Sequence, residues 1–180
     1  MIETERLTLR GWRNADAAAH HAMCAEPAVM AYLGQPPSLA DSAAVVARQT
    51  AILADYGACF WALERRDTGA FIGWCGIKPG PVGTPIEDKP EIGWSLVRNA
   101  WGQGYAREAA EAALSWGWSQ LGLPTIWAIT VPANRSSRTL MERLGMTRVV
   151  DGDFDHPKLA EDDPLRRHIL YRIDRPAYVR

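Results

Sequence analysis

The stretch with the clearest chemistry is Leu96-Val97-Arg98-Asn99-Ala100-Trp101-Gly102-Gln103-Gly104-Tyr105-Ala106-Arg107-Glu108-Ala109. It reads as a strand, a glycine turn and the start of a helix. A helix N-terminus carries unpaired N–H groups and a partial positive charge. Glycines let a backbone approach an anion with no side chain intervening, so this turn could hold a phosphate. Two other phosphate loops do not match. A Walker loop needs Gly-Lys-Ser/Thr, which the chain lacks. A dinucleotide fingerprint needs a third glycine where Arg107 stands, early in the chain, with an acidic residue about 20 positions on. From the residues alone, a glycine turn ahead of a purely structural helix stays open.

Other reactive side chains are scattered. Glu91 opens a strand, where a carboxylate could accept a proton or simply pair with an arginine. Glu87 and Asp88 precede it in a loop and could attract a cationic substrate. Asn134 has the type of a helix N-cap, with Ser137 in the first turn behind it. The histidines (His20, His21, His156, His168) and cysteines (Cys24, Cys59, Cys75) share no metal-ligand spacing, and no CxxC occurs. His168 alternates with Leu170 and could face a cleft or be structural. Trp61, Trp74 and Trp94 fall on three consecutive strands. They are core by default, though aromatic faces also suit cations in an acceptor pocket.

These residues need a frame. Leu7 to Trp12 alternates as an opening strand, and Asn14 or Asp16 caps an alanine-rich helix through about Cys24. Ser38 or Asp41 opens a second helix, with Val45, Val46, Ile52 and Leu53 at helical spacing, and Gly57 ends it. Strands at Cys59–Arg65 and Ala70–Ile77 flank the turn Arg66-Asp67-Thr68-Gly69, a hairpin. Residues 79–90 form a long irregular loop with four prolines and two glycines. Further strands fall at Glu91–Val97, Thr125–Val131, Thr147–Phe154 and His168–Ile173. Helices fall at Ala106–Leu121 and from Asn134 to Gly145. The strand–helix–strand unit from Glu91 to Val131 demands a parallel crossover, while the hairpins are antiparallel.

Bulk properties bound the answer. The chain has 180 residues, 47% hydrophobic and 23% charged, which fits one globular domain over residues 1–180. A net charge of -1 argues against a broad nonspecific nucleic-acid footprint. No membrane span or signal peptide is visible, and three cysteines fit reduced thiols in a cytoplasmic setting.

Trp101-Gly102-Gln103-Gly104-Tyr105-Ala106-x-Glu108-Ala109 resembles the acetyl-CoA turn of the GNAT superfamily, in particular its RimJ/RimL-like branch of ribosomal-protein N-terminal acetyltransferases. The family's Gln/Arg-x-x-Gly-x-Gly/Ala pattern falls on Trp101, Gly104 and Ala106, and Trp101 departs from its first position. The opening Ile2-Glu3-Thr4-Glu5-Arg6-Leu7-x-Leu9-Arg10 fits the same branch, as do Glu91-Ile92-Gly93-Trp94, Asn134-Arg135-Ser136-Ser137, Leu144-Gly145-Met146 and His168-x-Leu170-Tyr171. The resemblance spans nearly the whole chain in order.

The resemblance implies a mixed α/β (α+β) GNAT fold, with a twisted, mostly antiparallel sheet of six to seven strands and helices on both faces. It implies an acetyl-CoA-dependent N-acetyltransferase acting by direct attack in a ternary complex, without a metal. Leu96 and Val97 would pair with the pantetheine arm, the Val97 N–H region donating to the thioester oxygen. Backbone N–H groups from Gln103 through Gly104, Tyr105 and Ala106 to Arg107 would hold the pyrophosphate, with Arg98 and Arg107 as added charge. Asn134 would reach the pantetheine arm. Ser137 would be the acid for the thiolate, because Met141 stands where many relatives place a tyrosine. Glu91 would be the base, with Glu87, Asp88 or solvent as competitors. The acceptor is a protein N-terminus or a small amine. An antibiotic- or polyamine-modifying enzyme and a noncatalytic acyl-CoA-binding module are the rivals. Related enzymes are often dimers.

Overall fold

The computed structural model describes residues 1–177. In chain order the elements are β1 (Ile2–Glu3), β2 (Leu7–Arg10), α1 (Asp16–Cys24), α2 (Pro27–Met30), α3 (Leu39–Tyr56), β3 (Phe60–Arg65), β4 (Phe71–Pro79), β5 (Pro90–Leu96), α4 (Tyr105–Gln120), β6 (Thr125–Thr130), α5 (Arg135–Arg143), β7 (Thr147–Asp155) and β8 (Arg167–Asp174). A single turn of 3₁₀ helix at Arg98–Ala100 joins β5 to the glycine turn.

The strands form one sheet in the order β1-β2-β3-β4-β5-β6-β8-β7. Every neighbouring pair is antiparallel except β5 and β6. The eight strands exceed the expected six to seven because β1 has two residues, too few to show alternation in sequence. Two further expectations need correction. The short α2 starts on Pro27 and was not foreseen. Neither Asn14 nor Asp16 caps α1, whose cap position is Ala15. Asp16 instead turns both carboxylate oxygens to the Arg10 guanidinium, at 2.8 and 2.9 Å, and also accepts from the Arg13 N–H at 2.7 Å.

Other local signals are realised. Ser38 and Asp41 act together as a capping box for α3, and Gly57 closes it in the left-handed conformation. Alternation along β3 then sorts the layers. Trp61 packs edge-on against Trp116 of α4, while Phe60 stacks on Trp74 over the opposite face, under α1 and α3. Close approach of α4 needs a small residue. A Cβ on Gly117 would lie 2.6 Å from Ile77 and 3.2 Å from Ile126. The core so formed includes Leu7, Leu9, Trp61, Leu63, Ile77, Ile92, Ala109, Ala113 and Ile126.

Candidate active site

The site grows out of one irregularity in the sheet. β4 and β5 pair along seven register positions, but β5 and β6 pair at only one, Glu91 opposite Trp127. Past that point the two parallel strands diverge toward their carboxyl ends. A cleft of about 310 Å³ opens there, lined by Glu91–Trp94 of β5 and Ile129–Val131 around the end of β6. Ligands in open α/β sheets characteristically sit at such strand ends. Asn134, Ser137, Met141, Trp74, His156 and His168 share the cleft. The structure thus brings together the expected Glu91 of β5 with Asn134 and Ser137 at the start of α5.

Pairing phase decides which β5 backbone groups face the wedge. Val97 N–H donates to the Ile72 carbonyl at 3.0 Å, and Gly80 N–H to the Lys89 carbonyl at 2.8 Å. Both fit one antiparallel register, in which alternate residues turn their backbone groups to β4. Pro79 and Pro90 face each other at a position of that register where no N–H is required. The outward set is therefore Ile92, Trp94 and Leu96. This corrects the expectation for Val97: its N–H is already spent within the sheet. Leu96 has the expected phase, although its carbonyl accepts from Trp101 Nε1 at 2.8 Å. Neither Leu96 nor Val97 lines the cleft.

The glycine turn lies beyond the end of β5. Gly102 and Gly104 have φ of +73° and +82°. Other residues would be strained in these conformations. Nothing lies within 4 Å of a Cβ built on Gly102, so the turn is open on that side. The first intrahelical bond of α4 is Glu108 N–H to the Gly104 carbonyl, at 3.0 Å. Among the described residues, the N–H groups of Gln103, Gly104, Tyr105, Ala106 and Arg107 donate to no protein acceptor. Orphaned donors at a helix start, with an open glycine cradle, fit the diphosphate of an acyl-CoA. The Arg107 guanidinium itself is held by Glu111 at 2.7 Å, and Arg98 lies over the Trp101 ring.

A latch fixes this turn to the edge of the sheet. Glu108 accepts from Thr4 Oγ1 at 2.6 Å, from Arg6 N–H at 2.9 Å and from Arg6 Nε at 2.6 Å. Arg6 Nη1 donates to the Gln103 carbonyl at 2.9 Å, and its guanidinium covers the Tyr105 ring. Burial works to raise the Glu108 pKa, but these bonds hold it below the ordinary value. Arg6 and Glu108 both lie in stretches that the sequence singles out, but no local spacing relates residues 102 positions apart.

Glu91 is 8% exposed, and Lys78 Nζ donates to its Oε2 at 2.5 Å. Burial raises the pKa of this carboxyl, with Lys78 and then His168 opposing. The pairing foreseen for Glu91 exists, with a lysine in place of an arginine. Lys78 also lies over the Phe60 ring, 4.8 Å from its centroid. That ring occupies the space above Gly93, where a Cβ would come within 2.8 Å of it. Glu87 and Asp88 line neither this cleft nor its neighbour. Glu87 closes its own loop by accepting from Gly83 N–H at 2.9 Å.

Asn134 caps α5, its Oδ1 accepting from Ser137 N–H at 3.2 Å and from Ser136 Oγ at 3.0 Å. Met141 lies buried one turn on. His168 was left open by the sequence. Its Nδ1 lies 3.1 Å from the Arg166 carbonyl, an acceptor, so Nδ1 carries the proton of that contact. Trp61 is core, whereas Trp74 and Trp94 both line the cleft. Among the described residues no cluster of His, Cys, Asp or Glu could hold a metal ion.

The fold has counterparts among known proteins. Residues 6–147 match the Acetyltransferase (GNAT) domain family. An acetyltransferase structure from Agrobacterium tumefaciens superposes with a TM-score of 0.78 at 33% identity, covering 97% of this chain and 94% of that one. The uncharacterized N-acetyltransferase YoaA of Bacillus subtilis is 29% identical over 150 residues, 82% of this chain and 83% of that protein. The uncharacterized protein YkkB of the same organism is 37% identical over 91 residues, and the match spans only about half of its length, 52%.

Proposed function

This chain belongs to the GNAT acetyltransferase family, and from that premise we propose that it moves an acetyl group from acetyl-CoA to a primary amine in a ternary complex. The family makes it an acyltransferase with a mixed, mostly antiparallel α/β fold. The observation that carries the finer reading is the convergence of the β5–β6 wedge with the row of orphaned N–H groups at the start of α4. Bound acetyl-CoA supplies an activated acyl group as a thioester.

The chain's residues then have separable roles. The N–H groups from Gln103 to Arg107 hold the diphosphate. The outward backbone groups of Trp94, with the Ile92 carbonyl and the Leu96 N–H, hold the pantetheine arm, joined by Asn134. Trp94 N–H takes the place expected for Val97 as the donor nearest the acyl oxygen. Glu91 accepts the amine proton through a water on Oε1, since Lys78 occupies Oε2. Ser137 gives its hydroxyl proton to the departing thiolate and recovers one from solvent. No metal enters the scheme. The motifs favour a RimJ/RimL-like acceptor preference, a protein N-terminus or a small amine, in the cytoplasm.

A panel of N-terminal peptides and small amines, read by free CoA and by acetylated product, tests this reading. Acetyl-CoA-dependent acetylation of at least one amine is the expected result. Tight CoA binding with no acetylation of any panel member would leave a noncatalytic acyl-CoA-binding module.

A further inference from the structure

A second, larger cavity of about 620 Å³ adjoins the wedge on the α3 side of the sheet. The two share Phe60 and Trp74, whose rings stack with centroids 4.8 Å apart. They also meet across the Lys78–Glu91 ion pair, because Lys78 lines the larger cavity and Glu91 the smaller. One extended molecule could therefore place its amine in the wedge and its remainder beyond the aromatic pair.

The charges along this path are lopsided. Among the described residues Glu91 is the one carboxylate lining either cavity, and Lys78 already holds it. The larger cavity adds Arg48 and Lys158, which pair with no carboxylate among the described residues. Burial lowers the pKa of His20 in the same wall, and Arg48 lowers it further. A second ammonium on the substrate would find no free anion here and two cations of its own sign. A carboxylate or phosphate would meet both cations above an apolar floor of Trp12, Ile52, Phe60 and Trp74.

We propose that the larger cavity is an acceptor subsite for a distal anionic group, so that the substrate is an amine carrying a remote carboxylate or phosphate and not a polyamine. This rests on the acetyltransferase reading above and narrows its acceptor. Arg48 and Lys158 set the preference, and the Phe60–Trp74 stack packs the connecting chain.

Three probes of matched length separate the charge effect: aminohexanoate, hexylamine and hexane diamine. Acetylation by the full-length protein is followed by mass spectrometry, and binding to the CoA-loaded protein by calorimetry. The expected order is aminohexanoate, then hexylamine, then diamine. Two exposed cations should together separate the first and last by about tenfold in kcat/KM and in affinity. In the double variant Arg48→Glu/Lys158→Glu the ratio should invert. Both positions are solvent-exposed, and a thermal melt checks that the variant is folded. The charge preference in binding without turnover would support the subsite while contradicting the acetyltransferase reading. Turnover that favours the diamine, or an unchanged ratio in the variant, would overturn the subsite and leave the acetyltransferase reading standing. Failure to bind or acetylate all three probes would overturn the subsite as well.

Discussion

At the scale of single residues the proposed scheme divides the site into groups that move protons and groups that only hold. The Ser137 hydroxyl is the free group of the α5 cap, since Asn134 engages the Ser137 N–H and the Ser136 hydroxyl. Ser137→Ala should therefore lower turnover by about tenfold to a hundredfold, at or below the low end of general-acid effects, with little change in CoA affinity. An equal loss of affinity would make Ser137 a cofactor contact instead. Glu91 calls for a second comparison. Its carboxyl is raised by burial, so it holds a proton more readily than an exposed glutamate, and Lys78 counters that by favouring the ionised form. Glu91→Gln should cost about 10²–10⁴-fold at neutral pH, with partial recovery in alkali, where the amine is already deprotonated. If Glu91→Gln keeps the wild-type pH–rate profile, the amine proton is taken by another group or by solvent.

At the scale of elements the glycine turn and β5 were legible for different reasons. The turn shows in sequence because glycine types and spacing are themselves the structural requirement. β5 was found as a strand, but its phase was not, because phase depends on how β4 pairs with it. Leu96 and Val97 were both expected at the pantetheine arm, whereas the Val97 N–H is bonded to the Ile72 carbonyl within the sheet. The phosphate turn is also less simply tested than its glycines suggest. Gly104→Val would strain the backbone at φ +82° and press on Arg6 Nη2, 3.4 Å from a built Cβ. Loss of CoA binding in that variant would not separate strain from an obstructed phosphate. The Arg6–Glu108 latch is a better handle. Arg6→Ala removes the bonds to Glu108 and Gln103 without touching a glycine, and should weaken CoA by about three- to tenfold with kcat nearly unchanged. The latch also has a pH sense. The folded-state pKa of Glu108 lies below its ordinary value, so its stabilising contribution is present above that value and is lost as pH falls through the depressed one. A matching acid-induced loss of CoA affinity in the wild type, absent in Glu108→Gln, checks it. Acid sensitivity retained in Glu108→Gln would assign the effect to another carboxylate.

At the scale of the whole molecule, the mixed sheet, both helical layers and the parallel crossover followed from periodicity and turn residues. The wedge did not, because divergence of β5 from β6 is a property of two strands about thirty residues apart, and no window of sequence contains both. The cavity charges were hidden for the same reason: Arg48, Lys78 and Lys158 come from α3, β4 and the β7–β8 connection. Glu87 and Asp88 neighbour Glu91 in sequence, yet neither lines either cavity. The central proposal is that the α4 N-terminus holds a diphosphate while the wedge holds the thioester arm. Calorimetry with acetyl-CoA and with acetylpantetheine, which carries the same thioester arm without the diphosphate, tests this most directly. The account predicts that acetylpantetheine binds at least about a hundredfold more weakly, the loss of several charge-assisted bonds to backbone N–H groups. Equal affinity for the two compounds would contradict it.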